Sequence, residues 1–204
     1  MPTSLAPGCE HGQVGVGSQL PQWWSGRLLV ASPIMGDPNF DRTVLLLLEH
    51  GEGGALGLVL NRPSQTSIDA PLSRWRDQAT APGVVFVGGP VSADAAICLA
   101  HAHRPAAPTT GWQPLFAGLG TLDIGLDPDD IGVAVDGLRL FAGYAGWSAG
   151  QLEEEVAAGA WFIVDAEPGD ALSERPADLW RRVLHRQRGA MSAIANFPAD
   201  LSQN

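Results

Sequence analysis

Apolar residues gather in short runs along this chain, and the runs are separated by clusters of Gly, Pro, Asp and Asn. Between residues 27 and 63 three runs follow one another: Arg27-Leu-Leu-Val-Ala-Ser32, Thr43-Val-Leu-Leu-Leu-Leu-Glu49 and Ala55-Leu-Gly-Leu-Val-Leu60. Their lengths and the turn residues between them predict strands at about 27–32, 43–49 and 55–60. The run Val44-Leu-Leu-Leu-Leu48 does not alternate with polar residues, which predicts a strand covered on both faces at the centre of the fold. Residues 64–83 are polar and predict a short helix with loops. Val84-Val-Phe-Val87 predicts a buried strand, and residues 95–102 fit strand or helix by pattern alone.

The prolines and glycines of residues 104–120 predict an extended connection. Asp127-Pro-Asp-Asp130 predicts a helix start with Asp127 as N-cap, running to about Val135. Residues 138–144 predict a strand. Ser148-Ala-Gly-Gln151 has the form of a capping box, Glu153 to Glu155 suit the first turns of a helix, and Gly159 suits its end. Trp161-Phe-Ile-Val164 predicts a last strand. Residues 177–188 predict a helix with Leu179, Trp180, Val183 and Leu184 as its buried stripe. Residues 1–25, rich in Gly, Pro, Ser and Gln, are expected to form a mobile tail ahead of one domain over 26–204, with Trp23 and Trp24 pinning the tail's end.

Composition narrows the classes of function. The chain has 204 residues, 45% of them hydrophobic, enough for one domain with a sizeable core. Its 22 acids and 12 bases leave a net charge of −10, which repels phosphate backbones and counts against direct nucleic-acid binding. Every base is arginine, a residue that tolerates burial in paired contacts, so some arginines are expected to be structural. Cys9 and Cys98 fit no metal or redox spacing, and Cys98 in its apolar run reads as a buried, inert thiol. No signal peptide or membrane-spanning run is legible, so the expectation is a cytoplasmic protein without a membrane partner.

Several groups of residues bear on chemistry. Gly146-Trp-Ser-Ala-Gly150 matches G-x-S-x-G between a predicted strand and a predicted helix, the context of a serine-hydrolase nucleophile. In that reading Ser148 is the nucleophile and His185 the base, with Asp165, Asp170 or Asp178 orienting it. The same turn can instead offer backbone N–H groups to an anion, or simply cap a helix. Gly88-Gly-Pro90 after a strand suggests phosphate only weakly. Asp37, Asp41, Glu49 and His50 carry no spacing that fixes a metal, and His101-x-His103 places two imidazoles on one strand face without completing a zinc set. Arg175, Arg181, Arg182, Arg186 and Arg188 form a basic cluster that reads first as a solvated helix face.

One resemblance covers most of the chain, from about Gly26 to about Leu184. Ala31-x-Pro33, Asp37-Pro38-x-Phe40, Val44, Glu49-His50, Gly54-Ala55-x-Gly57 and Asn61-x-Pro63 carry it first. Gly88-Gly-Pro-Val91, Leu99-x-His101, Gly143-Tyr-Ala-Gly-Trp147 and Gly150-Gln-Leu-Glu153 carry it further. Together they resemble the AlgH/YqgE family of small bacterial proteins. The resemblance implies an α+β fold: a single domain with a barrel-like, forked, mostly antiparallel sheet flanked by helices. It favours strand over 95–102. The family's usual label is transcriptional regulator, and no motif here explains that label. Its pattern usually has glycine where this chain has Ser148, so it carries over no nucleophile, and only His101 of the histidine pair falls within it.

The reading placed first is therefore a non-enzymatic binding protein, with regulation as the role the family label implies, with no metal or cofactor and with an unknown protein or small anion as partner. Its expected surface gathers Asp37, Asn39, Arg42, His50, Asn61, Gly146, Trp147 and Gln151. The serine hydrolase at Ser148 and His185 is placed second.

Overall fold

Strand β2 (Val44–Gly51) lies between β1 (Arg27–Ala31) and β3 (Gly54–Val59), antiparallel to both, in a computed structural model that describes residues 23–69, 72–104 and 106–197. The non-alternating run Val44–Leu47 is fully buried because the two faces of β2 meet two different cores. Val44 and Leu46 join Leu28, Val30, Leu58, Phe86, Leu99 and Phe141 in one, whereas Leu45 and Leu47 join Leu29, Val59, Trp147 and Trp161 in the other. Each fully buried aliphatic side chain contributes about 1.5–3 kcal/mol, so this hairpin anchors the domain.

The sheet order is β10-β1-β2-β3-β9-β6-β8-β7. Its remaining long members are β6 (Val91–Ala102), β7 (Trp112–Phe116), β8 (Leu119–Leu122), β9 (Val135–Ser148) and β10 (Trp161–Asp165). Strand β9 forks the sheet. Residues 135–144 pair with β6, Ala145–Ser148 pair with β3, and Phe141 and Ala142 pair in parallel with β5 (Val84–Val87), which in turn carries β4 (Pro63–Ser67). The result is one α+β domain built on a curled, mostly antiparallel half-barrel with a few short helices: α1 (Gln151–Ala157), α2 (Pro168–Ala171), α3 (Leu179–His185) and α4 (Ala190–Ile194). Helix α3 buries the expected stripe Leu179, Trp180, Val183 and Leu184 against the first core, and Trp180 Nε1 donates to Ala31 O at 2.8 Å.

The structure departs from the expected elements in four places. The extended connection expected over 104–120 contains β7 and opens β8. Its Pro114 sits in the outermost strand, where a missing N–H is tolerated, and Ala117 and Gly118 turn the chain with positive φ. The helix expected from Asp127 is a three-residue 3-10 turn without a side-chain cap, and the β-branched Val135 opens β9 instead. Residues 63–67 form a strand ahead of a 3-10 helix at Ser73–Gln78. Ser148 is not the N-cap of α1: Gly150 holds that position with φ +79°, and only the Gln151 half of the box forms, accepting from Ser148 N at 3.1 Å. The far end of α1 closes as expected at Gly159, where Gly159 N donates to Val156 O and Ala160 N to Glu155 O. Residues 1–22 of the expected tail lie outside the described residues.

Candidate functional site

The eight residues expected to share one surface are divided between the two ends of the β2–β3 hairpin. An eight-residue strand separates those ends by about 25 Å.

At the turn end, β2 and β3 meet through Gly51–Gly54. Gly54 has φ +121° and lies so close to β9 that a Cβ there would stand 2.1 Å from Trp147 O. His50 is buried beside this turn, with the Trp24 indole stacked on its ring at 4.7 Å. Trp24 N donates to His50 Nδ1 at 3.0 Å, so the neutral imidazole carries its proton on Nε2 and donates it to Glu153 Oε1 at 3.0 Å. Trp24 is thus fixed to the domain. Trp147 Nε1 and Trp161 Nε1 both donate to Glu155 Oε2, at 2.9 and 2.7 Å. Gln151 Oε1 accepts from Ser148 N and Ser148 Oγ, and its Nε2 donates to Glu155 Oε1. Gly146 is exposed and pairs with Leu56. An open hollow of about 530 Å³ lies here, lined by Glu49, His50, Gly53, Gly54 and Trp147; His50 and Trp147 are bonded to Glu153 and Glu155 of α1. Three glutamates in the first turns of a seven-residue helix leave no attraction for an anion.

Ser148 Oγ donates to Gln151 Oε1 at 3.1 Å and has no hydrogen bond to an imidazole among the described residues. His185 is exposed on α3, and of the three carboxylates once paired with it, Asp165 meets Arg27 and Asp170 meets Arg186. His101 Nδ1 and His103 Nδ1 both turn to Asp136, at 2.9 and 3.7 Å. Among the described residues no three His, Cys, Asp or Glu side chains are grouped to hold a metal ion. Cys98 is buried, and burial pushes its thiol up to about 12.

The opposite end of the hairpin is built differently. Asn61 closes it: Oδ1 accepts from Val44 N at 3.0 Å and Nδ2 donates to Arg42 O at 2.9 Å. Asn61 therefore clamps the start of β2 to the chain beyond β3. The clamp holds Arg42 at φ +50°, a conformation uncommon outside glycine, with its guanidinium 4.9 Å from the Trp180 ring and NH2 donating to Phe197 O. Asp37 caps its own turn through Asn39 N at 2.8 Å. Arg42, Arg62 and Arg181, with Asn61, Pro63, Ala177, Asp178 and Trp180, line a cleft of about 400 Å³. Arg62 donates to Asp41 O, and neither Arg62 nor Arg181 is paired with a carboxylate among the described residues. The other arginines of the basic cluster are not equivalent: Arg182 bonds Ser173 Oγ, and Arg186 forks onto the buried Asp170. Burial lowers the Arg186 pKa, but the hydrogen bond and charge of Asp170, with Glu167 and Asp165, outweigh it and hold it above the ordinary value.

Arg62 was not among the expected site residues, and Arg181 entered only as part of the basic cluster. The adjacent Asn61-Arg62-Pro63 was the available signal for Arg62, but sequence spacing does not show that α3 brings Arg181 to it. A second cleft, about 600 Å³, opens between the β2–β3 hairpin and β6, β7 and β8. Leu48, Leu56, Ile97, Leu115 and Trp112 line it, with Glu49 and Asp123 as its charged groups.

Comparison with known proteins places the chain. A family model described as AlgH-like matches residues 28–192. A UPF0301 protein of Streptomyces coelicolor is 50% identical over 184 residues, covering 88% of this chain and 95% of that protein. One of Mycolicibacterium vanbaalenii is 42% identical over 182 residues, covering 88% and 90%. The crystal structure of a Corynebacterium diphtheriae protein superposes with a TM-score of 0.78 at 32% identity, covering 84% of this chain and 91% of that one. The solution structure of the AlgH protein of Pseudomonas aeruginosa superposes with a TM-score of 0.60 at 28% identity, covering 89% and 98%.

Proposed function

The chain belongs to the AlgH-like family, and from that premise we propose that it acts by binding rather than by catalysis, taking an oxyanion group in the Arg42–Arg62–Arg181 cleft. The observation that supports this reading is that three arginines line one concavity of a protein whose net charge is −10. Arg62 and Arg181, which have no carboxylate partner among the described residues, offer planar, paired donors suited to carboxylate or phosphate. Arg42 is held in place by Asn61 and Trp180, so part of the ordering cost of binding is met before the ligand arrives. A regulatory role would run through occupancy of this cleft.

The surroundings of Ser148 do not favour acyl transfer, because its hydroxyl is bonded to an amide oxygen and no imidazole stands beside it as base. The test is a calorimetric titration of the full chain with pyrophosphate. Saturable binding is expected, weakened about tenfold or more by Arg181→Ala and by Arg62→Ala, since a hydrogen bond to a charged group contributes about 1.5–3 kcal/mol. Absence of saturable binding, or binding that both variants leave unchanged, would overturn the reading.

A further inference from the structure

We propose that the arginine cleft and the apolar dimple beside it form one docking surface for an acidic peptide segment of a partner protein. Carboxylates of the segment face Arg62 and Arg181, and one apolar side chain of it covers Val87 and Pro90. The inference rests on the oxyanion reading and narrows it.

Arg62 carries the argument, because it lines both concavities. On one side lies the cleft; on the other lies a dimple of about 80 Å³ bounded by Asn39, Val59, Val87, Gly89 and Pro90. Val87 is 47% exposed although it ends a strand whose Val85 and Phe86 are buried, and Val91, just beyond, is 37% exposed. Polar groups would serve solubility better at these positions. The apolar ridge is also rigid. A Cβ on Gly88 would stand 2.2 Å from Gly143 O and one on Gly89 2.2 Å from Tyr144 C, so the backbone between Val87 and Val91 is seated directly on β9. The backbone hydrogen bonds Val87 N to Arg62 O and Gly88 N to Ala142 O fix it further. A surface that is ordered beforehand loses less freedom on binding.

Charge selects the occupant. The cleft carries three arginines against one acid, Asp178, on a molecule otherwise rich in acids, so a ligand bearing carboxylates is attracted here and repelled elsewhere. A small inorganic anion fills the cleft but leaves Val87 in water. An acidic segment with an apolar residue satisfies both halves. The surface is small, which fits a weak, transient contact.

The experiment uses the full chain and a short fluorescein-labelled peptide of Asp and Glu with one central Leu, read by anisotropy. The control peptide has Ser for Leu, and pyrophosphate and duplex DNA serve as competitors. The Leu peptide is expected to bind about tenfold more tightly than the Ser peptide and to be displaced by pyrophosphate. Arg181→Ala should weaken the peptide and pyrophosphate alike. Val87→Ser, on the surface and checked for fold by circular dichroism, should weaken the Leu peptide by about three- to tenfold and leave pyrophosphate unchanged. If pyrophosphate binds but Leu and Ser peptides bind equally, the docking surface is wrong and the oxyanion reading stands. If neither pyrophosphate nor peptide binds, both fall. Peptide binding that neither variant disturbs lies elsewhere and overturns the inference, as does displacement by DNA at lower concentration than by pyrophosphate.

Discussion

Cys98 and Arg139 lie on neighbouring strands and face opposite sides of the sheet, and burial acts on their ionisation in opposite directions. The thiol is neutral when protonated, so burial raises it to about 12; a backbone hydrogen bond from Arg139 draws it down only in part. The guanidinium is charged when protonated, so burial lowers it to about 10, while the charge of Glu174 raises it. Arg139 is 1% exposed; its NH1 donates to Ala171 O at 3.2 Å, its NH2 donates to Ala81 O at 2.7 Å and its guanidinium lies 4.2 Å from the Phe86 ring, while Nε has no hydrogen-bond partner among the described residues. Composition allowed for structural arginines, but Leu138-Arg-Leu140 carries no sign of which one: a strand covered on both faces and a half-exposed strand both tolerate that triplet. The thiol yields a firm expectation. In a Cys9→Ser protein, Cys98 should react with a disulfide reagent at pH 8 about a hundredfold more slowly when native than when unfolded, because the thiolate is the nucleophile. Its folded pKa lies above the unfolded one. Its contribution to stability is therefore complete below about pH 8.5 and is lost as pH rises toward 12. Denaturant titrations at pH 8 and 10 should show the Cys9→Ser protein losing more stability than the same protein with Cys98→Ala. Equal native and unfolded labelling rates would show the thiol to be open.

At the scale of elements, α1 is attached to the sheet through two carboxylates, Glu153 on His50 of β2 and Glu155 on the indoles of β9 and β10. A seven-residue helix has little stability of its own. Leu152 is buried against the second core, and Glu155 joins β9 and β10 by accepting both indole N–H groups. Glu155→Ala leaves two buried donors without partners and is expected to cost about 2–4 kcal/mol, measured by urea denaturation. Glu155→Gln, which keeps an acceptor oxygen, should cost about half as much. A loss under about 1 kcal/mol for Glu155→Ala would mean that α1 is held by Leu152 and the Glu153–His50 bond instead. The helix itself was legible from its glutamates and Gly159, and β2 and the buried face of α3 from hydrophobic spacing, because those signals are local. A forked sheet was expected only through the family resemblance, and that β9 makes the fork was not legible from the residues. Its pattern over 138–144 shows a strand, but the choice of β6, β3 or β5 as neighbour depends on residues far away in sequence. The same reason separates the expected site: His50 and Asn61 stand eleven positions apart, yet the hairpin places them at opposite ends, and both are consumed by internal hydrogen bonds.

For the molecule as a whole, the decisive property is where its few bases go. Arg27, Arg74, Arg76 and Arg186 pair with carboxylates, and Arg139 is buried. Arg42, Arg62 and Arg181 meet at one cleft, so the positive potential is local while the surrounding field is that of a chain with a net charge of −10. Duplex DNA carries one charge per about 1.7 Å, and a protein that holds it by its backbone needs many contacts spread along the groove. Three arginines in a concavity of about 400 Å³ reach one oxyanion group, not a line of phosphates. The chain is therefore expected to show no shift of duplex DNA anisotropy at 150 mM salt, under conditions where pyrophosphate still binds. At low salt any residual binding should vary with salt by a slope of about −3 or shallower, because no more than three phosphates can be neutralised at the cleft. A slope steeper than about −5 would require contacts outside the cleft, and the exposed Arg175 and Arg188 would then be the first residues to replace.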